Sequence, residues 1–287
     1  MKLPSLLSLL VLILVAQTNY GQWTKGKNKG YYKLGFWSLV ADQHYTDTGA
    51  IDPNATRGVF NLNFYGEYGL TDKLDAIAYI PFFARTYQNE QVSGTTREII
   101  QEGEAINSIG DTDIGLRYQL FKKNHLGLSS TLKLGLPLGK SSGGSDGSFQ
   151  TGDGEFNQLL QLDLGGSFSI SKAAVYTKTY LGFNNRTQDF SDELHFGGEA
   201  GLGLWKNKSW LIARINRVQS LQNGSKSAQN SQGSIFANNV EFTSIGYEAA
   251  YYITKKIGAS FSYATAVDGR IIYANPTISG GIFLDIK

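Results

Sequence analysis

The chain has no cysteine, one methionine, five prolines and three histidines among its 287 residues. Without cysteine there is no disulfide framework, no thiolate metal site and no acceptor for a lipoprotein anchor. The histidines stand apart, at His44 in a long loop, His125 in a short turn and His195 at a strand start. No pair of them has ligand spacing, so neither a metal nor any other cofactor is expected. An outer-membrane phospholipase or acyltransferase would need a histidine beside a serine on one strand face. No histidine here has a serine two residues away, and an enzyme is not expected. Charge is also scarce: 17% of residues are charged and the net charge is +2, which gives no electrostatic case for a nucleic-acid partner. Mean hydropathy is −0.22, and one long apolar run cannot make a helical membrane bundle.

That single run is Met1 to Ala16, "MKLPSLLSLLVLILVA", with Lys2 ahead of it and small residues behind. It has the plan of a secretory signal peptide and is shorter than the ~20 residues of a spanning helix. Cleavage is expected after Ala16, or as late as Gly21, which leaves residues 22–287 as one mature domain. Export without a lipid anchor leads to the periplasm, the outer membrane or the medium.

What is abundant is glycine, tyrosine and phenylalanine, at 34, 16 and 16 residues, a composition suited to strands and turns. Twelve segments alternate apolar and polar side chains: 29–40, 58–70, 74–85, 111–121, 126–138, 157–170, 174–183, 194–205, 209–219, 240–253, 257–264 and 277–286. All but the shortest, 257–264, reach or exceed the 9–11 residues that a tilted membrane strand needs, and all exceed the ~5–6 of an ordinary one. Very short connections, at Thr71, Lys122, Ser171, Lys206 and Thr254, take turns with long polar ones near Gly49, Gly94, Gly144, Asp189, Ala228 and Gly269. Turns at one end and loops at the other are the plan of a bacterial outer-membrane barrel with its turns in the periplasm. The expected fold is therefore all-β, a transmembrane antiparallel β-barrel of about twelve strands.

The faces follow from parity. Leu160, Leu162, Leu164, Phe168 and Ile170 would meet hydrocarbon, and Gln161, Asp163, Ser167 and Ser169 the lumen. A soluble sandwich could bury such a face too, but its strands are shorter and its outer surface less glycine-rich. Tyr68, Phe121, Trp205, Trp210, Tyr251 and Tyr252 lie near short turns, where an aromatic girdle belongs. Lumen-lining candidates are Asn61, Asn63, Glu67, Asp111, Asp113, Arg117, Lys133, Asp163, Lys178, Glu199, Arg214 and Glu248. Counting outward from Lys206 and Asn207 sets Glu199 opposite Arg214, and the two should meet. These charges either line a polar conduit or neutralise one another in a closed barrel. The long loops "KSSGGSDGSFQTGDG" and "QNGSKSAQNSQGS" are expected to be flexible and exposed, with inward folding as the alternative.

Three phrases, "GDTDIGLRYQLF" from Gly110, "LKLGLPLGKSSG" from Leu132 and "TGDGEFNQLLQLDLGGSF" from Thr151, resemble the outer-membrane transporter-like proteins of the meta-pathway of phenol degradation family. The resemblance spans Gly110 to Phe168 and is mostly strand pattern elsewhere. It implies uptake of small, including hydrophobic or aromatic, molecules and supplies no catalytic residues. One departure is the ending "GGIFLDIK": barrels of this kind usually finish on an aromatic residue, whereas Phe283 falls on the lumen face. The expected partners are outer-membrane lipid and lipopolysaccharide, the barrel-assembly machinery and a small solute. Sequence does not distinguish oligomeric states, since lipid-facing and subunit-facing surfaces are both apolar.

Overall fold

The computed structural model describes residues 24–170, 173–227 and 233–287. The signal-peptide expectation and the short connection at Ser171 lie outside these residues. Twelve long strands build the wall: β1 (Gly30–Ala41), β2 (Arg57–Gly69), β3 (Leu74–Gln88), β4 (Thr112–Lys123), β5 (Leu126–Leu136), β6 (Asn157–Ile170), β7 (Ala173–Asn185), β8 (Glu193–Leu204), β9 (Ser209–Ser220), β10 (Glu241–Tyr252), β11 (Ile257–Arg270) and β12 (Thr277–Ile286). Each pairs antiparallel with its sequence neighbours, and β1 pairs with β12 from Gly30↔Ile286 to Leu39↔Thr277. The sheet therefore closes as an antiparallel barrel with no free edge, the form that satisfies every strand hydrogen bond in hydrocarbon.

The ladder is disturbed where proline enters it. Pro81 in β3 has no N–H to donate. Opposite it, an extra short strand, Glu104–Ser108, pairs with the upper end of β3, residues 109–111 leave the ladder, and β4 resumes at Thr112. On the other side the β2–β3 register slips between Leu62 and Phe64. Asp111 is thereby turned away from a regular strand position and toward the long loops.

Alternation sorts the wall as the sequence implies. Leu160, Leu162 and Leu164 are 56, 47 and 49% exposed, while Asp163 and Ser167 between and beyond them are 1 and 4% exposed. In the isolated chain, exposure on that face is contact with lipid. The girdle is corrected in part. Tyr68, Phe121, Trp205 and Tyr251 face outward. Trp210 and Tyr252 point inward, where Trp210 lies against Tyr176 and Tyr252 packs edge-on against Phe283 at 5.0 Å. The reason is the period of two: Tyr251 and Tyr252 are consecutive in β10 and take opposite faces.

Inner-face glycines make room for these rings. A Cβ on Gly201 would stand 2.1 Å from the Tyr176 ring, and one on Gly258 would stand 2.2 Å from the Phe283 ring. Glycine at these two positions leaves room for both aromatics against the wall.

The buried apolar core sits under the long loops. Tyr45, Ala237, Val240, Ile271, Ile272 and Ala274 form one cluster, and Leu39, Ala41, Ala55, Val59 and Tyr273 another. The expectation of flexible exposed loops is corrected for Phe149 to Gly152 and, among the described residues of the other loop, for Gly233 and Ser234. Phe149 is fully buried beneath the Arg57 guanidinium at 4.0 Å, and Ser234, Ala237 and Asn238 are also buried. Fully buried Glu155 accepts from the backbone and hydroxyl of Thr187, which fastens the loop after β5 to the loop after β7.

Candidate functional site

Two cavities lie in the lumen and share no lining residue. The lower one, about 860 Å³, reaches the short-turn end and is lined by Tyr31, Lys33, Tyr65, Glu67, Arg117, Tyr176 and Arg214, among others. The upper one, about 280 Å³, lies beneath the loops, with Lys133, Asp153, Arg186 and His195 on one side and Leu159, Ile235, Val240 and Phe242 on the other. Between them the Tyr180 hydroxyl donates to Asn216 at 2.9 Å, and Asp163 accepts from Thr131 at 3.1 Å and Gln161 at 2.7 Å. This polar layer forms a waist.

Eleven of the twelve lumen candidates lie in ion-paired or hydrogen-bonded groups along the inner face, and Asp111 lies outside them, beneath the long loops. Around the lower cavity, Arg214 binds Glu199 at 2.9 Å and Glu248 at 2.7 Å. Glu199 and Arg214 are direct cross-strand partners, as the turn count requires. Lys33 extends this chain to Glu248 at 3.7 Å and donates to Ser260 at 2.7 Å. On the opposite wall Glu67 takes Arg117 at 3.3 Å and Lys25 at 3.4 Å, while Asn63 donates to Asn61 at 2.7 Å. At the waist Lys178 reaches Asp163 at 2.9 Å, and above it Lys133 reaches Asp113 at 2.9 Å.

Asp111 stands apart from the rest. Its carboxyl accepts the backbone N–H of Gly139 at 2.9 Å and of Asp153 at 2.7 Å, so it holds the loop between β5 and β6 onto the wall. Burial first, and the neighbouring Asp153 carboxyl second, push its pKa up to about 7. Asp153 in turn takes Arg186 at 3.0 Å, and Arg186 takes Glu193 at 2.8 Å. Glu193 also meets His195 Nε2 at 2.8 Å.

Sequence reasoning missed several members of these groups. Lys33 and Tyr31 share the inner face of β1 opposite Leu34, which is 61% exposed, a parity that was readable. Lys25 and the buried Thr24 could not be placed. They precede β1 and are drawn in by Asp75, whose carboxylate accepts the Lys25 N–H at 2.8 Å, and by Gln119, which accepts the Thr24 hydroxyl at 2.8 Å. Among the described residues, no group of three or more His, Asp or Glu is arranged to hold a metal ion.

No family model matches the chain, and no curated relative matches it. Solved structures do. An outer-membrane channel from Pseudomonas putida F1 aligns with a TM-score of 0.57 at 13% identity, over 94% of this chain and 100% of that one. The NanC porin aligns with a TM-score of 0.46 at 8% identity, over 90% and 99%. LpxR from Salmonella typhimurium gives 0.45 at 11%, over 88% and 99%. These are likenesses of fold. With the closed wall and its apolar outer belt, the first of them agrees with the fold of an outer-membrane β-barrel. One expectation is corrected here. The barrel fold is shared by enzymes and channels and excludes neither, so the exclusion of enzymatic activity is withdrawn.

Proposed function

We propose that this barrel is an outer-membrane channel for passive passage of small solutes, hydrophobic and aromatic compounds among them, as the resemblance to the meta-pathway of phenol degradation family implies. The observation that carries the reading is the pair of cavities stacked along one lumen, of about 280 and 860 Å³, each large enough for a small organic molecule. Solute would enter as the long loops part, rest in the upper cavity, pass the Asp163 waist and leave past Lys29 and Lys287. The twelve charged and amide side chains act in this scheme as conduit lining and gate. In the same proposal residues 1–16 direct export, residues 22–287 are the mature domain, the assembly machinery inserts the barrel, and lipopolysaccharide surrounds its outer half.

A second reading has its own support. The buried clusters under the loops favour a barrel whose mouth stays shut and whose task is surface contact or envelope support. Liposome swelling and planar-bilayer conductance separate the two. Steady solute flux through the wild type, rising in Phe149→Ala where the loop loses its anchor, supports the channel. Sealed membranes with both proteins refute it.

A further inference from the structure

The upper cavity has two unlike walls. The polar wall is built by β4 to β8 and the loops between them, and its ion pairs close on one another. Lys133 meets Asp113 at 2.9 Å, Arg186 stands between Asp153 at 3.0 Å and Glu193 at 2.8 Å, and His195 meets Glu193 at 2.8 Å. The apolar wall comes from β9, β10 and the loop that joins them. Val218 and Phe242 are direct cross-strand partners, and Ile235, Ala237 and Val240 pack with Phe242 under the loops. The walls meet between β8 and β9, where His195 lies opposite Val218. Two atoms on residues of the polar wall, Asn184 Oδ1 and Arg186 Nε, have no protein partner, so the protein leaves part of that wall's hydrogen-bonding capacity unused.

We infer that the upper cavity is a binding site for small neutral amphipaths, molecules with a compact apolar body and one hydroxyl or amide head. The choice of head follows from the pairing. Both lining cations already hold carboxylates, and an anionic head would have to displace one of them. An ammonium head would shed its water for carboxylates that are already engaged. A hydroxyl leaves every pair intact, because a carboxylate oxygen in an ion pair still has a lone pair free to accept from it. A plain hydrocarbon would cover the polar wall and return no bond to it. The choice of body follows from the second wall, whose side chains carry no polar atom and gain from leaving water. An apolar cavity of about 150 Å³ already holds benzene. The upper cavity, at about 280 Å³, takes a ring with a short polar arm. The site gives the proposed channel a preferred class of cargo, and in that sense rests on the channel reading.

The test is equilibrium dialysis of labelled cyclohexylmethanol against the detergent-solubilised barrel, with empty micelles as the blank, which requires no permeation. Cyclohexanecarboxylate, cyclohexylmethylammonium and methylcyclohexane carry the same ring and serve as competitors. Saturable binding of the alcohol is expected, with each competitor about tenfold weaker at equal free concentration, a difference of ~1.4 kcal/mol. Val218→Phe fills space at the apolar wall without touching an ion pair and should lower retention at least tenfold. Ile235→Trp, on the loop, obstructs the same cavity and replaces the strand variant should that one fail to fold. No saturable retention, a charged or hydrocarbon competitor equal to the alcohol, or retention unchanged in the obstructed barrel overturns the inference. Alcohol binding by a protein that leaves liposomes sealed would refute the channel and keep the site, and flux without alcohol binding would do the reverse.

Discussion

Replacing Arg214 by methionine tests whether the lumen charges hold the barrel together. The guanidinium makes bonds of 2.9 Å to Glu199 and 2.7 Å to Glu248, with its side chain 31% exposed. A hydrogen bond to a charged group contributes about 1.5–3 kcal/mol when buried, and lumen water can rehydrate both carboxylates here, so the lower end applies. Glu248 keeps Lys33 at 3.7 Å, whereas Glu199 loses its cation. Arg214→Met should therefore cost about 2 kcal/mol, most of it from Glu199. The assay is equilibrium urea unfolding of the barrel folded into lipid vesicles, followed by tryptophan emission. The informative measurement is the double-mutant cycle: adding Glu199→Gln to Arg214→Met should recover about 1 kcal/mol. A coupling energy indistinguishable from zero would show that these partners are held by the wall and contribute nothing to it, and the reasoning would fail.

Two further predictions concern the loop and the lipid face. The folded-state pKa of Asp111 lies above its ordinary value, so the protonated carboxyl favours the docked loop; that contribution is complete below about pH 4 and is lost as pH rises through 7. Protease should cut the segment between Lys140 and Gly147 more slowly near pH 5.5 than near pH 8, with the difference abolished in Asp111→Asn; an unchanged pH dependence in that variant would remove Asp111 from the account. Leu162→Lys on the outer face of β6 should cost about 2–4 kcal/mol in vesicle unfolding, whereas Gln161→Lys, one residue away and facing the lumen, should cost under about 1 kcal/mol.

Much of the wall was legible because a two-residue period carries both strand length and side-chain direction. The alternation over β6 set Leu160 against Asp163 before any geometry was known, and a tight turn fixed the meeting of Glu199 and Arg214 by arithmetic. Irregularities were harder. The break at residues 109–111 comes from Pro81 on the neighbouring strand, a cause thirty residues away in sequence by order of magnitude and invisible in the pattern of β4 itself. Strand ends drifted as well: β11 continues to Arg270, past the expected end at Ala264, because its polar tail pairs with β10 above the apolar belt. The loops were the least readable part. Glycine and serine in the segment around Asp146 suggest mobility, but the anchor is one aromatic, Phe149, whose partner Arg57 lies on a distant strand. Lys25 was unreadable for the same reason, since its place depends on Asp75 and Glu67 and on no local pattern.

The seam between β1 and β12 joins the two ends of the chain, and it is fastened from within by Tyr31 stacked on Phe283 at 5.5 Å. Every other neighbouring pair of strands can zip locally as soon as its turn forms, but this one must wait for the whole circumference. Its long sequence separation gives this pairing the largest loop-closure entropy cost in the wall. Until it forms, two unsatisfied strand edges are available to any other chain that meets them.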